Sequence, residues 1–133
     1  IGVKDSSYNL YENLKIENFS VLPGSELKLL KSLELGCEGI ITATCNVTAA
    51  ISRKVYEDFF NKKTQTVNEL LCNVRSVFDQ FNLISGLHSF LSEEDKIYRN
   101  ILPPLSLLNE KDKKKLTEDL RKLNFKLGPL KAP

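Results

Sequence analysis

A lysine that closes an apolar run is the most chemically suggestive residue of the sequence. Ile1-Gly-Val3 gives way to Lys4-Asp-Ser-Ser7, which puts Lys4 where a short strand passes into its loop. In parallel sheets the carboxyl ends of the strands carry the active sites. An amine emerging from an apolar wall loses hydration, and its charged form is then disfavoured. Once neutral it is a nucleophile, able to condense with a ketone to a Schiff base. The plainer reading is a strand-end lysine whose head group reaches back to water. Gly24 ends a second apolar run, Phe19-Ser-Val-Leu22, at a point where a side chain would block a small ligand; a tight turn alone would ask for the same residue. Ile41 and Thr42 lie on a third run, Gly39-Ile-Ile-Thr-Ala-Thr44. Strand alternation turns one of them to each face. A threonine hydroxyl or a backbone carbonyl there can orient a small keto acid, with ordinary packing as the alternative.

These residues need strands to present them and helices to support the strands. Ser6 or Ser7 is placed to cap a helix over roughly Tyr8 to Ile16. Pro23-Gly24 breaks the second strand, and Ser25 caps a helix from about Glu26 to Leu35, stopped by Gly36. The third strand is β-branched or small throughout, as suits burial on both faces. A helix from Asn46 to about Asn61 follows, with Val47, Ile51, Val55 and Phe59 in one stripe. Strands alternating with helices predict right-handed βαβ units and a parallel sheet. The remainder reads as helical. Val67, Leu70, Leu71, Val74, Phe78 and Phe81 follow helical spacing, and such a stripe most simply covers the chain's own core. A helix is expected around Glu93 to Ile101, ended by Pro103-Pro104. Asn109 caps a last one, about Glu110 to Leu123, with Leu116, Leu120 and Leu123 inward. The expected organisation is therefore residues 1–61 as βα units and 62–133 as a helical extension.

Bulk properties exclude several classes. With 19 basic and 17 acidic residues in 133, the net charge is +2, too near neutral to favour nucleic acid or an anionic membrane as partner. Lys111, Lys113, Lys114 and Lys115 read as a solvated helix face, since no aromatic residues interleave them. No apolar stretch approaches the ~18 residues of a transmembrane helix. Cys37, Cys45 and Cys72 are an odd set without metal-ligand spacing, which suggests reduced thiols and a cytoplasmic protein. No metal or cofactor is expected.

The segments Ile1-Gly-Val-Lys-Asp-Ser-Ser7, Val21-Leu-Pro-Gly-Ser-Glu26 and Gly36-Cys-Glu-Gly-Ile-Ile-Thr-Ala-Thr-Cys-Asn-Val47 resemble, in order and spacing, the dihydrodipicolinate synthase / N-acetylneuraminate lyase family. The resemblance implies the C-terminal part of a (β/α)8 barrel, strands 6 to 8, followed by C-terminal helices. It implies that Lys4 forms the Schiff base with pyruvate, that Gly24 lies beside the bound pyruvate, and that Ile41 lies against it. Gly39, Thr42, Thr44 and Asn46 fall on the eighth-strand motif, with Thr42 a candidate contact for the acceptor. The family commonly has glycine where this chain has Tyr8.

What the resemblance implies for function is a pyruvate-dependent class I aldolase or lyase. A dihydrodipicolinate synthase type, condensing pyruvate with aspartate semialdehyde, is the first expectation. Aldolases for 2-keto-3-deoxy sugar acids or 4-hydroxy-2-oxoglutarate are the rivals, because residues 82–105 lack the Pro-x-x-Lys signal of typical synthases. A non-catalytic regulatory relative is the alternative from another class. Partners would be pyruvate and a small aldehyde or keto acid, in a homotetramer by family resemblance. A barrel needs about 250 residues, so this chain is expected to be part of a longer enzyme and inactive by itself.

Overall fold

The computed structural model describes residues 1–128. The chain divides into two compact units, Ile1–Cys72 and Asn73–Pro133.

The first unit is built on two parallel strands, β1 (Gly2–Asp5) and β2 (Ser20–Pro23), paired from Gly2 opposite Ser20 to Asp5 opposite Pro23. Glycine at position 2 has a steric cause, because a Cβ there would stand 2.4 Å from the Ser20 carbonyl oxygen. Alternation divides the ribbon cleanly. Asp5, Val21 and Pro23 are buried on one face, whereas Gly2 and Lys4 are exposed on the other.

The intervening helix, α1 (Leu10–Asn13), is shorter than the predicted Tyr8 to Ile16. Tyr11 is buried, but Ile16 is 54% exposed, so prolonging the helix would hide little apolar surface. Neither Ser6 nor Ser7 caps it: Asn9 holds the cap position at φ 55°, a left-handed conformation that asparagine tolerates. Tyr8, where the family commonly has glycine, is not among the residues with positive φ.

After β2, Ser25 accepts from the Leu27 N–H at 3.3 Å and starts a 3-10 turn, Glu26–Lys28, that continues as α2 (Leu29–Glu34). Gly36 stops it at φ 87°, as expected of a glycine stop. The predicted third strand is not formed as such. Residues 39–42 are irregular, and the Ile41 N–H donates to the Pro23 carbonyl at 3.0 Å. Gly39 at φ 150° lies outside the ordinary strand region, so the segment runs alongside β2 without joining a regular ladder. Two paired strands, not three, are therefore formed among the described residues.

The next helix, α3 (Cys45–Phe60), is close to prediction. Its Val55 packs with Leu29, Leu33 and Leu71, ringed by Ile40, Ile51, Tyr56, Phe59 and Val67. Each fully buried aliphatic of this kind contributes about 1.5–3 kcal/mol. That packing keeps Val67 and Leu71 in the first unit, which extends it past the end of the βα pattern at 61.

Helix α4 (Asn68–Phe78) supplies Leu71 to the first unit and Phe78 to the second. In the second unit α5 (Leu83–Leu91) packs against α6 (Glu110–Lys122). Asn82 caps α5 by accepting from Ser85 N–H at 3.1 Å; this helix was not anticipated. The helix expected over Glu93 to Ile101 reduces to a 3-10 turn, Lys96–Arg99. Its residues are nearly all exposed, Ile97 at 63%, so a longer helix would have no apolar face to bury. Asn109 caps α6, accepting from Asp112 N–H at 2.9 Å. Leu116 and Leu120 point inward at 0% and 1% exposure. The lysines of α6 are paired with acids, Lys113 with Glu93, Lys114 with Glu118 and Lys115 with Asp119. No helix among the described residues is long and apolar enough to cross a membrane.

Candidate functional site

The carboxyl ends of β1 and β2 and the segment after Gly39 meet in the first unit. Lys4 is opposite Leu22 in the parallel register and shares the open face with it. At the next step Asp5 is opposite Pro23, and the Asp5 carbonyl accepts the Gly24 N–H at 2.7 Å. Pro23 in turn accepts from Ile41 N–H, so the segments that carry Lys4, Gly24 and Ile41 meet at the Asp5/Pro23 step, one residue beyond Lys4.

Gly24 stands at a close approach. A Cβ would lie 3.2 Å from the Asp5 carbonyl oxygen and from Cα and Oγ of Ser6. Ile41 is 49% exposed. Thr42 is turned the other way, its hydroxyl donating to Glu26 Oε2 at 2.9 Å and lying 3.0 Å from the Thr44 hydroxyl. The hydroxyl is thus committed within the protein. Lys4 is exposed on the open face of the ribbon. Its flanking apolar residues Val3 and Val21 belong to the opposite face of the ribbon, so they give it no apolar wall.

Two acidic residues that sequence reasoning missed organise this end of the sheet. Asp5 is 3% exposed, and its carboxylate accepts three backbone N–H groups, from Ser7 at 3.0 Å, Tyr8 at 2.8 Å and Leu10 at 2.7 Å. It thereby folds the loop that follows Lys4 and takes over the capping expected of the serines. Burial by itself would raise the Asp5 carboxyl. The hydrogen bonds from Tyr8, Leu10 and Ser7, with the charge of Lys28, outweigh it and hold the group below the usual 3.8. A group held low stabilises the fold above its ordinary pKa, and that contribution is lost as pH falls through the lower folded value. Asp5→Asn should therefore cost about 2 kcal/mol at neutral pH, a charged acceptor being replaced by a neutral one. The difference from the parent should shrink below about pH 3.8. Urea unfolding at a series of pH values measures both; equal stabilities at pH 7 would disprove the assignment.

Glu26 is fully buried. Its Oε1 accepts from the Thr48 hydroxyl and its Oε2 from Thr42, both at 2.9 Å. The thiol of Cys45 nearby is pushed up by burial, with its Ser52 contact opposing and Glu26 adding to the rise. At the opposite, amino end of the sheet a cleft of about 630 Å3 is lined by 14–21 and 36–38. None of Lys4, Gly24, Ile41 or Thr42 borders it.

The family model for the dihydrodipicolinate synthetase family matches residues 1–123. The chain belongs to the dihydrodipicolinate synthetase family. Among solved structures, dihydrodipicolinate synthase from Thermotoga maritima is similar at 17% identity and a TM-score of 0.79, over 93% of this chain and 46% of that one. Dihydrodipicolinate synthase from Aquifex aeolicus is similar at 23% identity and 0.76, over 97% and 47%. N-acetylneuraminate lyase from Fusobacterium nucleatum is similar at 19% and 0.77, over 92% and 45%. The chain thus spans just under half the length of these structures. No curated protein matches. The shared architecture gives this family member its mixed α/β character, with the carboxyl ends of β1 and β2 side by side.

Proposed function

We propose that this chain supplies sixth, seventh and eighth strands of a (β/α)8 barrel, and that the whole protein is a pyruvate-dependent class I aldolase or lyase. The observation that carries the reading is the position of Lys4, at the carboxyl end of β1 on the open face, one residue before the step at which Gly24 and Ile41 bond to Asp5 and Pro23. Family membership supports it.

In the proposed reaction the Lys4 amine adds to the ketone carbon of pyruvate, and water leaves to give an iminium. The iminium withdraws electrons, so the methyl group gives up a proton and an enamine forms. The enamine carbon bonds to an aldehyde carbon, and hydrolysis of the new iminium releases product and regenerates Lys4. Lyase activity is the same sequence reversed. Gly24, without a side chain, leaves room for pyruvate, Ile41 lies against it, and Thr42 contacts the acceptor. Condensation with aspartate semialdehyde is the first reading of the substrate. Cleavage of a 2-keto-3-deoxy sugar acid or of 4-hydroxy-2-oxoglutarate is the second, favoured by the missing Pro-x-x-Lys signal and by likeness to a lyase of the family. A homotetramer in the cytoplasm completes the proposal.

Borohydride reduction of full-length protein with pyruvate, followed by peptide mapping, tests it. A reduced pyruvate adduct on Lys4 is expected. Adduct-free, folded protein would point instead to a non-catalytic relative.

A further inference from the structure

Glu26 is expensive to bury. A carboxyl group removed from water must recover its hydrogen bonds from the protein, and an apolar residue of similar size is often no less stabilising. Its geometry suggests what the burial secures. One oxygen holds Thr48 on α3 and the other holds Thr42, while the Thr44 carbonyl also receives the Thr48 hydroxyl at 3.0 Å. The 3-10 turn after β2, the segment 41–44 and the start of α3 are thereby joined through a single side chain. That segment forms no regular strand, and Ile41, next to Thr42, contacts β2 through the carbonyl of Pro23, which is paired with Asp5, the residue after Lys4.

We propose that Glu26 is a positioning residue, which through Thr42 fixes where Ile41 and the Thr42 carbonyl stand relative to Lys4. The proposal rests on the Schiff-base reading for its catalytic meaning, though not for its structural one. Displacing a substrate-contacting group by an ångström costs up to about 100-fold in rate.

The test compares full-length parent, Glu26→Gln, Thr42→Val and Thr42→Ser. Glutamine keeps the shape of Glu26 but offers one acceptor oxygen for two hydroxyls. Amide hydrogen exchange at Ile41 should quicken about tenfold or more in Glu26→Gln and Thr42→Val, with Val55 in α3 unchanged, since exchange reports local opening. Thr42→Ser, which keeps the hydroxyl, should preserve Ile41 protection. The pyruvate concentration giving half-maximal borohydride trapping should rise about tenfold in the first two variants, as for loss of a supporting contact behind a ligand-binding residue. If Glu26→Gln lowers the melting temperature but leaves both Ile41 exchange and half-maximal pyruvate at parental values, Glu26 merely holds the fold. If the parent traps no pyruvate, the Schiff-base reading fails, and Ile41 exchange still decides the role of Glu26.

Discussion

Lys4→Met should abolish pyruvate-dependent borohydride adducts and lower turnover by at least about 1,000-fold, the scale on which loss of a covalent nucleophile acts. Methionine retains the length and apolar stem of lysine but has no amine, so the iminium cannot form. The fold should survive the change. Methionine nearly conserves the volume of lysine, and volume-conserving swaps usually cost less than about 1.5 kcal/mol. Lys4→Arg sharpens the result, because it restores the charge but not a condensing amine; it should be equally inactive. Lys28 is the natural control. Its charge acts on Asp5, so it is a second cation near this strand end, yet it lies on the 3-10 turn and not on β1. Lys28→Met should keep the adduct. Trapping that persists in Lys4→Met and vanishes in Lys28→Met would move the nucleophile and overturn the assignment. Peptide mapping of the adduct and steady-state turnover of full-length protein supply the two measurements.

Why Lys4 could be singled out from sequence, while Glu26 could not, follows from the range of the interactions. The strand end at Lys4, the turn at Gly24, the glycine stop at Gly36 and the caps at Ser25 and Asn109 are all settled by neighbours a few residues away. Local chemistry of that sort leaves a mark in the order of residues. Glu26 meets Thr42 and Thr48, 16 and 22 positions distant, and no periodicity announces that meeting. Asp5 was legible in principle. An aspartate followed by two serines at a strand end is an Asx-type loop signal, and the serines were credited with a role that the aspartate performs.

The same contrast explains the segments that were read differently. Residues 39–44 have strand composition, but composition reports what suits a pleated surface and not whether a ladder is available. Residues 39–42 form no regular pair, and Gly39 stands at φ 150° at their start. The stretch 93–101, expected as a helix, is nearly all exposed and forms only a 3-10 turn. Helix α5 presents the opposite case, with Gly86, Ser85 and Ser89 advertising a loop while tertiary packing makes a helix. All three are buried, and Ser89 is used, its hydroxyl accepting the Leu108 N–H at 2.8 Å.

Gly86 leads to the second large effect, Phe78→Ala, expected to destabilise the protein by about 3–5 kcal/mol. Phe78 is fully buried at the end of α4. Its ring lies edge-on to Phe90 of α5, centroids 5.8 Å apart and planes at 82°, the edge-to-face arrangement that adds to area burial. Gly86 lies against the ring: a Cβ there would stand 3.5 Å from Cδ1 of Phe78, an ordinary van der Waals contact. Phe90 is itself stacked toward Phe125, 6.1 Å away, so truncating Phe78 removes the first ring of a chain of three. The resulting void is bounded by a helix backbone at Gly86, which has no side chain with which to fill it, and incomplete relaxation puts the cost at the upper end of the range. Phe78→Leu, retaining much of the volume, should lose about half as much. Urea midpoints of full-length protein measure both, with the slope checking that the unfolding unit is unchanged. A loss below about 1 kcal/mol for Phe78→Ala would show that the second unit does not depend on this ring cluster.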